Sequence, residues 1–349
     1  MLAALAFLVA AAPVVDPAAQ LRAEAARLRG MLSAFGPDDP ERAYVQEPLD
    51  KAEAALAAGR LLFAASRLRE AGQNAEGRVF ASARVSVQEA GLPAFEEEWR
   101  RLGNELQAMR AALPADLGAR SPIAVRALVE ASLATVEPLH TSGRLYGENT
   151  TVEYGLYYLG MGRSAIPWAG LLGSLVWSAP PQPPLTSPDS ALEALDAEIL
   201  DAYAKATTGE ARQAFIGSNT ALKRARDLRR DGRLFGTWLE LLQARRALGL
   251  ARRLAGLLPE PTPGDRERIA TALRERVASW SDGLDHSLGR LFVEEAEVAL
   301  EAGDLRRGAA IVEDVLPAYA AASAGPRATL AQLQAPPPGA VTVTLVRWP

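Results

Sequence analysis

The fold is decided by a pattern that is clearest in the stretch Ala296–Pro317, AEVALEAGDLRRGAAIVEDVLP. Apolar and small residues recur at helical spacing on both sides of Gly303, and Leu305 follows the glycine two positions later. Glycine readily takes the left-handed conformation that ends a helix, and a leucine just after it returns the chain to the core. The stretch therefore predicts two antiparallel helices joined by a tight turn.

The same pattern occurs at other places along the chain. Gly59 is followed by Arg60-Leu61 and Gly232 by Arg233-Leu234, and an alanine stands seven residues before each turn glycine. Leu159-Gly160 fits the pattern as a fourth, degenerate copy, and its distance to Gly232 is roughly two repeats of 34 to 36 residues. We therefore expect several hairpins of the same kind.

These turns resemble the turn inside tetratricopeptide-type repeats, with small residues after Gly303 and Pro317 at the end of the second helix. No copy carries the complete Trp-Leu-Gly-Tyr signature of that family, and no turn occurs near position 196 or 267. The resemblance implies an all-α fold of stacked antiparallel helical hairpins, an α-solenoid, that binds a protein or peptide partner. A generic stack of helical hairpins is the alternative.

Helical periodicity continues along most of the chain. Asp16-Pro17 has the composition of a helix start, and Val79–Val87 fits both a strand and a helix, of which the helical neighbours favour the helix. The other predicted helices are Pro93–Leu113, Pro122–His140, Ser190–Thr207, Glu210–Arg230, Leu234–Leu258, Asp265–Ser281, Leu284–Ala302 and Leu305–Ala321.

Proline-rich stretches divide the chain. Because proline lacks an amide hydrogen, residues 180–188 predict a stiff linker between an N-terminal helical domain, 12–179, and a C-terminal helical domain, 189–334. The remaining residues, 335–349, form a proline-rich extended tail. Within it, Val341–Trp348 alternates β-branched residues and predicts a β-strand, which pairs inside the chain or with the sheet edge of a partner.

The amino terminus begins with an apolar stretch, Leu2–Val15, that is shorter than the roughly 20 residues a membrane-spanning helix needs. Val9 and Ala11 stand at suitable positions for cleavage after Ala11. Residues 1–11 therefore predict a secretory signal peptide, without a transmembrane span, and a periplasmic or secreted protein. The alternative is a cytoplasmic protein whose first helix is buried.

Composition excludes several function classes. The 349 residues contain no cysteine, which rules out disulfides, thiolate metal sites and cysteine nucleophiles. A net charge of −4 argues against a dedicated nucleic-acid binder. His286 follows Asp282 and Asp285; an exposed, solvated helix face is the simple interpretation, and a weak metal or acid–base site is the alternative. We expect no cofactor, no metal and no catalytic residue.

Two stretches are candidates for a binding surface. Tyr154 to Ala179 is rich in aromatic residues and glycine; it predicts either two short core helices in close contact, an aromatic groove for a peptide or hydrophobic ligand, or a hairpin that touches a membrane. Four arginines at helical spacing predict either a solvated face or a stripe that meets an anionic lipid, a polysaccharide or an acidic partner. The candidate residues are Tyr154, Tyr157, Tyr158, Trp168, Arg226, Arg229, Arg230 and Arg233.

Together these features predict an exported, non-catalytic helical-repeat protein that acts as a protein-interaction scaffold in the bacterial cell envelope. An all-helical enzyme with an unrecognised site and a structural subunit of an envelope assembly are the alternatives.

Overall fold

The computed structural model describes residues 16–36, 39, 41–206 and 208–324. Within these residues the regular structure is helical throughout, with no strand, so the predicted all-α class is confirmed. The first half contains α1 (Pro17–Met31), α2 (Arg42–Ala57), α3 (Leu61–Ser82), α4 (Val85–Ala90), α5 (Leu92–Ala111), α6 (Ile123–Asn149) and α7 (Val152–Ser174). The second half contains α8 (Asp189–Ala204), α9 (Gly209–Arg230), α10 (Leu234–Leu254), α11 (Asp265–Ala278), α12 (Ser287–Glu301), α13 (Leu305–Ala310) and α14 (Leu316–Ser323).

Two local predictions are confirmed at helix ends. The Asp16 carboxylate accepts hydrogen bonds from the amides of Ala18 and Ala19, at 3.2 and 3.3 Å, and so caps α1. The ambiguous segment Val79–Val87 is helical except for a break at residues 83–84 between α3 and α4.

The three hairpin glycines adopt the predicted left-handed backbone, with φ of +74° at Gly59, +71° at Gly232 and +79° at Gly303. In each turn the glycine amide donates to the carbonyl three residues back, and the next amide donates to the carbonyl five residues back. These are the two hydrogen bonds of a Schellman motif, which satisfies the last carbonyls of the first helix. The longer bond measures 2.8 Å from Arg60 to Ala55, 2.9 Å from Arg233 to Leu228 and 2.8 Å from Asp304 to Ala299.

The predicted fourth turn, at Leu159-Gly160, is wrong, and so is the division of this region into two short helices. Gly160 lies inside one continuous helix, α7. A β-carbon at Gly160 would lie 2.5 Å from the Phe80 β-carbon and 2.9 Å from the Glu76 carbonyl oxygen. The glycine therefore serves the close approach of α7 to α3 and not a turn.

Glycine also lets α6 and α7 approach each other closely around Phe95. A β-carbon at Gly155 would lie 2.6 Å from the Phe95 ring and 2.7 Å from the Cα of Gly147. Phe95 is fully buried as a result. This confirms the expectation that glycines in this region permit close helix contact.

The helices of the two halves pack against each other. α10 lies against α6, and α12 lies against α2, α3 and α6. One hydrophobic cluster runs from Leu28 and Leu128 in the first half to Leu241 and Phe292 in the second. The predicted linker therefore separates two sets of helices that share one core.

The proline-rich segment between α7 and α8 is not helical, as predicted, and it is attached to the second half. Leu185 is buried. The Thr186 amide donates to the Ala322 carbonyl at 2.9 Å, and its own carbonyl accepts from the Trp238 indole at 3.2 Å. These contacts hold the connector against α10 and α14.

In the part of the chain that the structure describes, no helix combines the length and apolar character needed to cross a membrane. The predicted signal peptide, 1–11, the tail from residue 335 and the predicted strand Val341–Trp348 lie outside the described residues.

Candidate anion-binding cavity

A polar cavity of about 460 Å³ lies where α2 and α3 meet α9, α10 and α13. A volume of this size falls within the range of roughly 300 to 1,000 Å³ that is typical of small-molecule sites. Two carboxylates, Glu47 and Glu70, and six cationic side chains line it. The cations are Lys51, Arg67, Arg69, Arg224, Arg246 and Arg307. We refer to it as the basic cavity.

Five of these six cations have a carboxylate partner close by. Arg67 pairs with Glu70 at 2.6 Å, and the Arg224 Nε donates to Glu240 at 2.9 Å. Further pairs join Lys51 to Glu47, Arg246 to Glu295 and Arg307 to Asp304. Ion pairs therefore form most of the cavity wall. Those of Arg224 and Arg246 join different helices, and the other three join residues three or four positions apart in the sequence.

The carboxylates behind the wall are deeply buried. Glu240 is 0% exposed and Glu295 is 2% exposed. Burial alone would raise the pKa of Glu295, but Arg246, Arg67 and Arg307 oppose it, and the pKa lies below its ordinary value. The surrounding arginines thus create a positive potential that outweighs the desolvation of a fully buried carboxylate.

Arg69 is the exception among the six cations. It forms no hydrogen bond or ion pair with any residue that the structure describes, and its Nη1 is enclosed without an acceptor. Burial lowers the pKa of Arg69, and the charge of Glu240 opposes this shift. A buried donor without an acceptor carries a desolvation penalty. An anion in the cavity would lie beside this guanidinium and offset the cost of desolvating its charge.

A cluster of tyrosines reaches the basic cavity through Tyr44. Tyr44 lines the cavity and is 64% exposed. Asn74, also in the lining, accepts a hydrogen bond from the Tyr157 hydroxyl at 2.7 Å. Tyr158 contacts Tyr157 edge-on, with ring centroids 5.8 Å apart. With two further members, the tyrosine cluster consists of Tyr44, Tyr146, Tyr154, Tyr157 and Tyr158.

The remaining contacts show that the tyrosine cluster is continuous. The rings of Tyr146 and Tyr158 stack with centroids 4.5 Å apart. Burial, followed by the influence of the neighbouring Tyr146, raises the pKa of Tyr158 to about 12. Tyr154 is 49% exposed and lies close enough to raise the pKa of both Tyr157 and Tyr158. The hydroxyls of Tyr157 and Tyr158 therefore remain neutral hydrogen-bonding groups at ordinary pH.

The predicted aromatic residues separate into two groups. Tyr154, Tyr157 and Tyr158 fall on one side of α7 and join the tyrosine cluster. Trp168 lies more than two turns further along the same helix, is 7% exposed and lines a different cavity beside α1. A single aromatic groove that contains all four residues is therefore not formed.

The predicted arginine stripe is not one free face. Arg229 is buried and pairs with Asp189 at 2.7 Å, and Arg226 pairs with Asp196 at 3.0 Å, so both tie α9 to α8. The stripe therefore contributes to helix packing. Its remaining members are the exposed Arg230, which pairs with Asp227, and the half-buried Arg233 beside Glu130.

The prediction of an exposed face around His286 is wrong for two of its three residues. His286 and Asp285 are buried, at 7% and 2% exposure. The His286 ring lies 3.1 Å from Asp282 and 3.2 Å from the Tyr319 hydroxyl, whereas Asp285 accepts from the Ile123 amide at 2.6 Å. His286 thus connects the start of α12 to Tyr319 on α14, and Asp285 connects it to the start of α6. Among the described residues no cluster of three or more potential metal ligands is present.

The basic cavity is not visible in the sequence, because its cations come from α2, α3, α9, α10 and α13. The one sequence feature that points to the basic cavity lies in α3. Arg67 lies within the run of apolar and small residues from Leu61 to Leu68, and Arg69 directly follows it, where a buried helix face is expected.

Comparison with known proteins yields no relatives. The chain matches no protein-family model, no curated protein and no solved structure.

Proposed function

We propose that this protein acts by binding and that the basic cavity holds an anionic group of its ligand. The observation that carries the proposal is Arg69, a half-buried guanidinium with an enclosed Nη1 and no ion pair among the described residues. Five other cations surround the same space. Arginine keeps its proton at any ordinary pH, so these groups are suited to holding an anion and not to proton transfer.

The size and polarity of the cavity favour a small polyanion or the charged end of a larger molecule. A carboxylate or phosphate group accepts paired hydrogen bonds from a guanidinium. Ser66, Gln73 and Asn74 also line the space and supply neutral polar groups. Citrate and pyrophosphate, which carry several charges in a compact volume, are suitable probes.

The cellular role we propose is that of an interaction scaffold in the bacterial cell envelope. Residues 1–11 support export, and the three Schellman hairpins support a stacked-hairpin array of the tetratricopeptide kind. Cell fractionation with amino-terminal sequencing tests the location. A mature periplasmic chain that begins at Ala12 is expected, whereas a cytoplasmic chain that retains residues 2–11 would contradict export.

A partner protein is a second candidate ligand, because five of the seven tyrosines form a cluster that reaches the basic cavity at Tyr44 and Asn74. Tyrosine supplies much of the binding energy at protein interfaces. For a partner that contacts this surface, Tyr154→Ala should weaken binding about tenfold or more. Tyr203→Ala, a similarly exposed tyrosine on α8, is the control. Equal effects of both substitutions would exclude the tyrosine cluster.

The binding proposal is tested by thermal unfolding with citrate or pyrophosphate at constant ionic strength. Because such anions stabilise many proteins non-specifically, the comparison is between the wild type and Arg69→Met. At a hundredfold excess over the dissociation constant, specific binding adds about 2.7 kcal/mol. We expect the wild type to gain more stability than Arg69→Met. Identical gains would contradict the proposal.

A further inference from the structure

A second cavity lies between α1, α3 and α7 and adjoins the basic cavity. Its volume is about 370 Å³. Leu68, Phe80 and Leu171 contribute apolar walls, and Trp168 lies among them. We refer to it as the indole cavity. Of the residues that line it, Arg69 and Gln73 also line the basic cavity.

The charged residues at the rim of the indole cavity are mostly paired with one another. Arg27 donates to Glu24 at 2.8 Å and to Glu76 at 2.7 Å, which accounts for both carboxylates. Arg163 pairs with Glu105 at 2.7 Å. Arg69, by contrast, also lines this cavity, and its enclosed Nη1 has no hydrogen-bond acceptor among the described residues.

Trp168 supplies a second donor without an acceptor. Trp168 is 7% exposed. Its indole Nε1 is enclosed and has no hydrogen-bond partner among the described residues. Other indoles of the chain donate to backbone carbonyls, as Trp99 does at 3.1 Å and Trp238 at 3.2 Å. A buried N–H is nearly always satisfied in native proteins. A group in the indole cavity satisfies this N–H once the neighbouring side chains that cover it move aside.

We propose that the indole cavity binds a small organic acid with an apolar body. Its carboxylate accepts a hydrogen bond from the Trp168 indole and lies in the positive field of Arg69. Its apolar body packs against Leu68, Phe80 and Leu171. A ligand of this class matches both features of the cavity, because it combines an acceptor with apolar surface. The two cavities share Arg69, and the Trp168 indole is the group that belongs to the indole cavity alone.

Octanoate is the probe, and octylamine is its matched control because it has the same chain with the opposite charge. Isothermal titration calorimetry on the full chain should show octanoate binding at least tenfold more tightly than octylamine. Trp168→Phe keeps an aromatic ring but removes the donor, and it should weaken octanoate binding about tenfold. Trp177→Phe, whose indole donates to the Leu172 carbonyl, should leave the affinity unchanged.

Three outcomes would overturn the proposal: no octanoate binding by the wild type, equal affinity for octylamine, or undiminished affinity in Trp168→Phe. The first would show a solvent-filled cavity only. If Trp168→Phe does not fold, Ser164→Phe replaces it, since Ser164 lines the cavity and is half-buried. The added ring should block octanoate while citrate binding in the basic cavity persists. Octanoate binding that survives in this variant would equally contradict the site.

Discussion

Arg246 on α10 donates a hydrogen bond to the Glu295 carboxylate on α12, which is buried behind the wall of the basic cavity. Burying two opposite charges together is tolerated because each offsets the desolvation of the other. Arg69 has no such partner among the described residues. The contrast between these two arginines separates groups that hold the fold together from a group that is available to a ligand.

Removing the Glu295 charge should therefore destabilise the protein strongly. Glu295→Gln leaves Arg246 and Arg307 without their buried counter-charge, and we expect a loss of about 3 to 5 kcal/mol in the free energy of unfolding. Glu297→Gln, on the same helix with a side chain 42% exposed, should cost about 1 kcal/mol or less. Urea denaturation measures both. Similar losses in the two variants would mean that burial of Glu295 has no energetic consequence.

The Glu295 carboxylate should also make the stability of the protein decrease in acid. Because the pKa of Glu295 is lower in the folded protein than its ordinary value of 4.5, its contribution is fully present above pH 4.5. The contribution is lost as the pH falls below that value through the folded-state pKa. The stability difference between wild type and Glu295→Gln should therefore shrink on acidification below pH 4.5. A difference that is constant from pH 7 to pH 3 would refute this assignment.

Arg69→Met should behave in the opposite way to Glu295→Gln. It removes a desolvated cation that has no described partner, so without an added anion the stability should be unchanged or higher by about 1 kcal/mol. Thermal and urea unfolding in low-phosphate buffer measure this effect. A loss of more than about 2 kcal/mol would show that Arg69 is a structural residue.

The contribution of Glu130 to the free energy of unfolding should change with pH in the opposite direction to that of Glu295. Its carboxylate accepts a hydrogen bond from the Gly236 amide at 2.7 Å, but burial outweighs this bond and raises the pKa of Glu130 to about 7. Its stabilising contribution is therefore complete below pH 4.5 and is lost as the pH rises through 7. Glu130→Gln should be more stable than the wild type at pH 8, by about 1 to 3 kcal/mol, and equal to it at pH 4. The exposed Glu97→Gln should show no such crossover.

The turn glycines predict a purely structural effect. Gly303→Val forces a β-branched residue into a backbone with φ of +79° and should cost about 1 to 3 kcal/mol, although a β-carbon there would meet no neighbour within 4 Å. Gly217→Ala, inside α9 with the same open surroundings, should instead stabilise by about 0.5 to 1 kcal/mol. Differential scanning calorimetry checks both signs. Stabilisation by both substitutions would exclude backbone strain at Gly303.

The helices and turns could be predicted because their causes are local. Gly59, Gly232 and Gly303 terminate helices through bonds to residues within five positions, and these signals are visible in the sequence. The turn predicted at Gly160 is wrong because its local sequence resembles that of a glycine that ends a helix. In the structure this glycine instead makes room for Phe80 on the neighbouring helix α3.

The candidate site could not be predicted in the same way, because its composition is determined by packing. The arginines at 226 and 229 form an evident stripe in the sequence, but they face Asp196 and Asp189 across a helix contact. Arg69 carries no local mark that distinguishes it from the paired Arg67. Only the arrangement of five helices shows that Arg67 forms an ion pair and that Arg69 forms none among the described residues.

The central claim is that the basic cavity binds anions through Arg69, and calorimetric titration with citrate in 150 mM salt tests it most directly. Arg69→Met and Arg226→Gln change the net charge equally, but only the first alters the cavity. We predict one citrate per wild-type chain, a loss of affinity of at least tenfold in Arg69→Met, and wild-type affinity in Arg226→Gln. Undiminished binding by Arg69→Met, or a loss confined to Arg226→Gln, would contradict the account.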